Sequence, residues 1–304
     1  MDIPQIIIAP MAGGPSTPQL VNAAAAAGSL GFLATGGAPA AVLRAQLAEA
    51  TGPYGVNLFT RQVPFTSLAD VERIAAGRPL PEVDLSSGFD EKFAALLDAP
   101  HPPAVVSATF GPFRRPEIEA LHARGIAAWI TVTNPEDART AAELGADALV
   151  VQGPEAGGHR STWTVAEEPD RRSLPELVRA IDVDLPLVAA GGIRDRADVA
   201  TALALPGVVA VSCGSAFLLA EEAGTSAANR ELLRQGGESV DSRAFTGRVA
   251  RGLATDYTRQ HPDMPPIYPY LRPLTPEQPY CLVGEGVEKL TEGTVAELVS
   301  RLMV

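Results

Sequence analysis

The sequence predicts a (β/α)8 barrel, and three observations carry that prediction. Short runs rich in β-branched residues alternate with Ala-rich helical stretches, the mark of repeated β-α units around a parallel sheet. The alternation repeats eight times. Glycine-rich motifs follow the sixth, seventh and eighth strand candidates, at the ends where barrel enzymes build their active faces. A doubly wound open sheet is the structural alternative, because periodicity alone does not show closure. The count of eight favours the barrel.

Taken in order, the strand candidates are residues 6–9, 31–34, 54–58, 104–108, 127–132, 148–151, 186–189 and 208–212. Helical stretches lie near 18–27, 39–50, 90–97, 116–124, 135–143, 175–180 and 197–204, and an eighth is expected to begin near Gly214. Several open with proline, whose missing N–H costs nothing in a first helical turn. Two segments break the alternation. Residues 60–88 are long and carry few helix signals, and residues 223–280 hold one helix-like piece (227–235) and a Pro-rich run from Pro262. Insertions of this size in βα loops sit on the C-terminal face of a barrel, where they can cover an active site. The expected division is a barrel core over 1–222, a cap or substrate segment over 223–280, and a C-terminal segment over 281–304 whose helix (294–303) packs back on the barrel.

An apolar fraction of 46% with 20% charged residues is that of a globular chain with a large core. The net charge of −12 would repel nucleic acid, so no nucleic-acid partner is expected. Cys213 and Cys281 make no disulfide framework and suit a reducing compartment. The opening residues Met1-Asp2-Ile3-Pro4-Gln5 lack a basic, then apolar, leader pattern, and no window reaches the roughly 18 apolar residues of a membrane span. The expectation is a cytoplasmic protein without a membrane partner. No metal site is assigned.

The most informative stretch is Val150-Val151-Gln152-Gly153-Pro154-Glu155-Ala156-Gly157-Gly158-His159-Arg160, directly after the sixth strand. Its glycines let backbone approach a flat ligand closely. His159 then offers an imidazole suited to proton transfer near neutral pH. An ordinary loop histidine beside a glycine turn is the plainer reading, and the strand-end position favours function. Gly191-Gly192 after strand seven and Ser212-Cys213-Gly214-Ser215 after strand eight occupy the two loops at which barrels bind phosphate. Asn57, inside an apolar strand, needs partners for its amide; a ligand ring edge and a neighbouring loop are equally good sources. Cys213 is expected to be a structural thiol, because strand eight should bury it. Five arginines (243, 248, 251, 259 and 272) make the stretch after Ser242 locally basic. They either draw an anion to the mouth, or pair with barrel carboxylates, or contact a second subunit as in a homodimer.

Ala9-Pro10-Met11-Ala12-Gly13-Gly14, Gly55-Val56-Asn57-Leu58-Phe59, the Gln152–His159 stretch and Ala189-Ala190-Gly191-Gly192-Ile193 together resemble the nitronate monooxygenase family, once called 2-nitropropane dioxygenases. Arg243-Ala244-Phe245-Thr246-Gly247-Arg248-Val249-Ala250-Arg251-Gly252-Leu253 resembles that family's segment after the barrel. The resemblance implies FMN held by the Met11–Ala12 segment, Asn57, Gln152, Gly157 and Gly158, with its phosphate at Gly191, Gly192 and Ser212-Cys213-Gly214-Ser215. It implies His159 as catalytic base or nitronate-orienting group, with a nitronate or nitroalkane and O2 as small-molecule substrates and a carbonyl compound and nitrite as products. Ser215 stands where the family usually has threonine, and the Pro-rich stretch matches only loosely. Flavin-dependent enoyl-thioester reductases and quinone reductases share the glycine–histidine loop, so NAD(P)H-dependent reduction is the alternative activity. An FMN-binding barrel without turnover is a third reading, against which the intact His159 loop counts.

Overall fold

A computed structural model describes residues 2–65 and 67–304. Met1, at the head of the stretch read for a leader, and Thr66, within the first long loop, lie outside the described residues. In chain order the strands are β1 (Ile6–Ile8), β2 (Leu30–Ala34), β3 (Gly55–Phe59), β4 (Val105–Thr109), β5 (Ala127–Val132), β6 (Ala148–Gln152), β7 (Gly158–His159), β8 (Leu187–Ala190), β9 (Val208–Cys213), β10 (Ser239–Ser242) and β11 (Ala250–Leu253). The helices are α1 (Pro18–Ala26), α2 (Ala40–Glu49), α3 (Ala69–Ala75), α4 (Phe89–Leu97), α5 (Arg115–Ala123), α6 (Pro135–Leu144), α7 (Leu174–Ala180), α8 (Arg196–Leu203), α9 (Ala227–Gln235), α10 (Asp256–Gln260), α11 (Leu271–Leu274) and α12 (Val295–Leu302).

Eight parallel strands, β1 to β6 with β8 and β9, close into a barrel. Closure is direct: Ile7 faces Leu30 of β2 on one side and Ser212 of β9 on the other. Each strand is buried on both sides, so its residues read as continuous apolar runs. Alternate residues face inward. Ile7, Phe32, Val105, Trp129, Ala148, Val188 and Ala210 pack together as one buried cluster inside the barrel. Gly55 has no side chain because the Phe32 ring occupies the space a Cβ would need. By the same alternation Asn57, Ser107, Thr131, Gln152 and Ser212 follow toward the strands' C-terminal ends. The interior therefore turns from apolar to polar along the barrel axis, toward the end that carries the long loops.

The structure departs from the sequence expectation in the outer layer. No long eighth helix begins near Gly214; a single 3-10 turn, Ser215–Phe217, takes its place. Residues 215–220 are all buried, so they lack the polar face that an outer helix presents to water. α12 fills the vacant position, packing on α1, α8 and the 3-10 turn. Its buried residues, Val295, Leu298, Val299 and Leu302, fall at i, i+3, i+4 and i+7. α3 forms inside the segment read as poor in helix signals, burying only Val71 and Ala75. In the cap, β10 and β11 make an antiparallel hairpin, and β7 joins β11 as a third strand. This small sheet carries His159.

Among the described residues no helix is long and apolar enough to cross a membrane.

Candidate active site

His159 is fixed from three directions. Its backbone pairs with Ala250 of β11. Its carbonyl accepts Gln152 Nε2 at 2.9 Å, while Gln152 Oε1 accepts the Ser161 N–H at 2.9 Å. Both ends of the Gln152 amide thus staple the histidine loop to the end of β6. The imidazole Nε2 lies 2.9 Å from Thr246 Oγ1, and Phe110 and Tyr268 meet the ring edge-on, with centroids 5.5 and 5.4 Å away. The residue is half-buried. Burial, with the Arg248 charge adding to it, pushes the imidazole down to about 3, so the ring is neutral at ordinary pH.

Behind this aromatic pair lies Arg248, fully buried. Its guanidinium stacks 4.2 Å from the Phe110 ring centre and donates to Thr162 O, Thr162 Oγ1 and Gln62 Oε1. The other arginines of the basic stretch are engaged as well. Arg243 pairs with Glu168, Arg251 with Asp241 and Glu285, and Arg259 with Asp256, while Arg272 stacks over Tyr280. Three of the five thus pair with carboxylates, but these lie in the segments after β7 and β9 and not on the barrel, where the pairing reading puts them.

The glycines divide by what they face. A Cβ at Gly157 would overlap the Val283–Gly284 backbone, and one at Gly153 would crowd Leu174, so these two serve chain packing. At Gly158, with φ +86°, a Cβ would meet nothing within 4 Å; here the backbone opens onto free space. Gly191 and Gly192 adopt φ of +126° and +69° and fit closely under Ala156 and Glu155. Gly214 leads into the 3-10 turn beside Ala9 and Met11. Ser215 Oγ accepts the Gly284 N–H at 2.9 Å, which leaves the hydroxyl hydrogen for another acceptor. Ser212 faces Ile7 and Ala190 across the barrel ladder, and Ala12 is exposed above the half-buried Met11. Asn57 Nδ2 donates to β4, at 2.9 Å to Ser107 Oγ and 3.0 Å to Thr109 Oγ1.

Sequence reasoning passed over Arg194. It follows Gly192 by two residues and is buried, with Nε and Nη2 lacking partners. Both lie against the Gly284–Gly286 segment that caps Ser215. Arg194 Nη1 donates to the Ile193 carbonyl at 2.9 Å, and Asp198, Glu285 and Glu288 lie near enough to offset its charge. The glycine turn at 191–192 and the 3-10 turn that opens at Ser215 are the parts of this corner that fit a phosphate group. By contrast, a cleft of about 490 Å³ beside α2 and α4 is lined by Asp84, Asp90 and Glu91 and contains none of these residues.

A closed barrel with a neutral histidine, a glycine-lined opening and a phosphate-suited corner, all at its C-terminal face, defines a (β/α)8-barrel enzyme. Residues 1–301 match the family model described as nitronate monooxygenase. The chain belongs to the nitronate monooxygenase family, whose members are oxidoreductases. It is 36% identical over 302 residues to nitronate monooxygenase of Pseudomonas aeruginosa, covering 89% of this chain and 83% of that one. Nitronate monooxygenase of Paraburkholderia phytofirmans is 34% identical, over 83% and 74% of the two chains. In structure the chain is similar to nitroalkane oxidase from Streptomyces ansochromogenes, with a TM-score of 0.87 and 34% identity over 98% of this chain and 94% of that one. FabK from Thermotoga maritima shares the fold, with a TM-score of 0.72 at 22% identity and coverage of 98% and 91%.

Proposed function

We propose that the protein is an FMN-dependent enzyme that oxidises alkyl nitronates, and nitroalkanes once deprotonated, with O2. The observation that carries this reading is the neutral, rigidly held His159 beside the open backbone of Gly158. Gly158, the Met11–Ala12 segment and Asn57 Oδ1 would border the FMN ring and ribityl chain, with Gln152 and Gly157 shaping the loop behind them. Gly191, Gly192 and the Ser212–Ser215 backbone would hold the phosphate. When bound, FMN supplies the electron acceptor for the substrate and the route to O2, with a carbonyl compound and nitrite as products.

The chain's own part is binding and proton handling. His159 takes the proton from the carbon bearing the nitro group; the C–H electron pair becomes the C=N bond of the nitronate. A neutral ring is the state a proton acceptor requires. The burial that keeps it neutral also weakens it as a base, so the transfer depends on stabilisation of the imidazolium by the charge that forms beside it. The nitronate charge created by the transfer then faces an imidazolium, and that opposite charge favours the protonated ring. Phe110 and Tyr268 pack edge-on against the imidazole and hold its orientation.

His159→Asn tests the assignment. The variant should fold and keep FMN, because the β7 backbone is unchanged. Turnover of a neutral nitroalkane should fall by about 10²–10⁴, the usual worth of a positioned base. Turnover of the preformed nitronate should fall much less. An unchanged rate on both substrates removes His159 from the reaction. Anaerobic bleaching of the bound flavin by NAD(P)H and not by nitronate would replace the whole reading with a reductase.

A further inference from the structure

Thr246 touches His159 through a hydroxyl whose hydrogen-bond capacity is fully accounted for. A hydroxyl has one hydrogen to donate and two lone pairs to accept with. Thr246 Oγ1 lies 2.9 Å from His159 Nε2, accepts the Arg248 N–H at 3.3 Å, and stands 3.4 Å from the Arg248 carbonyl. Thr246 is 2% exposed, so each of these groups depends on protein partners. If the hydroxyl donated to Nε2, the Arg248 carbonyl would lose its partner and one Thr246 lone pair would stay empty. If Nε2–H donates instead, the hydroxyl accepts twice, donates once to the Arg248 carbonyl, and every group is satisfied.

We propose that Thr246 is a positioning residue that fixes the His159 proton on Nε2 and leaves the Nδ1 lone pair as the proton-accepting atom. Nδ1 makes no hydrogen bond to the described residues and is not among the enclosed, unpartnered atoms. The inference rests on His159 acting as base. In the step, the substrate C–H bond breaks, an Nδ1–H bond forms, and the electron pair stays on the nitronate. The site is thereby set for neutral nitroalkanes: an Nδ1 lone pair receives a proton, whereas a preformed nitronate oxygen would want an Nδ1–H donor. The turn that holds Thr246 is also the turn that holds Arg248, so one segment both sets the tautomer and backs the Phe110 ring beside the imidazole.

The test is the imidazole ¹⁵N spectrum of the holoenzyme. The chain has four histidines, and the signal missing in His159→Asn identifies the right one. The wild-type ring should be protonated at Nε2. Thr246→Val should spread the proton over both nitrogens and lower kcat on a neutral nitroalkane about tenfold, the worth of one orienting hydrogen bond, with KM little changed. Thr246→Ser should restore both readouts. A wild-type proton on Nδ1, or a Thr246→Val ring with an unchanged tautomer, overturns the proposal. Because the spectrum is read without substrate, either failure leaves the identity of the oxidised substrate untouched.

Discussion

Cys213 ends β9 beside the glycine turn, but its thiol packs in the main core with Ile8 and Phe217, in the layer between strands and helices. The Arg194 guanidinium lies near the thiol and opposes the effect of burial without overcoming it. Burial pushes the thiol up to about 12, so no thiolate forms at ordinary pH. Cys281 is buried too and raised to about 11. A thiol reagent at about pH 8 should therefore leave the native enzyme unlabelled and active, and two thiols should react once the chain is denatured. Rapid labelling with loss of activity would place a reactive cysteine at the mouth. The same scale shows why side-chain roles were harder to read than positions. Asn57 was recognisable as a polar residue in an apolar strand and Gln152 by its place ahead of the glycine–histidine loop, but their amides are largely taken up by protein: Gln152 by its own loop, Asn57 Nδ2 by β4. No local pattern distinguishes an amide that meets a ligand from one that staples a loop.

At the scale of elements, Arg248 joins three pieces that no single stretch of sequence connects. From the turn before β11 it reaches Gln62 in the loop after β3 and Thr162 and Thr164 after β7. Arg248→Met would leave these buried acceptors without donors and remove the stacking on Phe110. The expected cost is about 2–4 kcal/mol, read as a lower denaturation midpoint, with Arg248→Lys recovering only part because it lacks the planar fork. An undiminished midpoint in the Met variant would show that the cap does not depend on this contact. The barrel strands were legible because each is a short apolar run between turn residues, and their bounds fall within a residue or so of the expected ones. β7, β10 and β11 were not. β7 is two residues long, too short for any period, and the hairpin becomes a sheet only by pairing across the barrel mouth. α3 was missed for a related reason: with two buried residues in seven, its helical stripe is too faint.

For the whole molecule, one buried carboxyl gives stability a pH dependence of known sign. Asp137, in the first turn of α6, is 8% exposed, and burial together with the nearby Glu167 raises it from 3.8 to about 7. The folded chain therefore holds this proton where the unfolded chain has lost it. Its stabilising share is complete below about 3.8 and is lost as pH rises to about 7. Asp137→Asn is expected to melt higher than the parent at about pH 8, with the gain shrinking by about pH 5. Equal melting differences at the two pH values would mean that Asp137 titrates normally.

The position of α12 has a consequence for how the chain comes into being. α12 follows all eight barrel strands in the chain, whereas its neighbour α1 follows only β1. A growing chain carries all eight staves before it owns the last clasp. The cap residues 223–280 leave the ribosome ahead of that clasp. They must find the mouth of a cylinder not yet locked, with contacts between the two ends closing over most of the chain's length. A nascent chain halted before residue 295 should accordingly be open to protease along α1 and α8, the helices that α12 covers, whatever the state of residues 223–280.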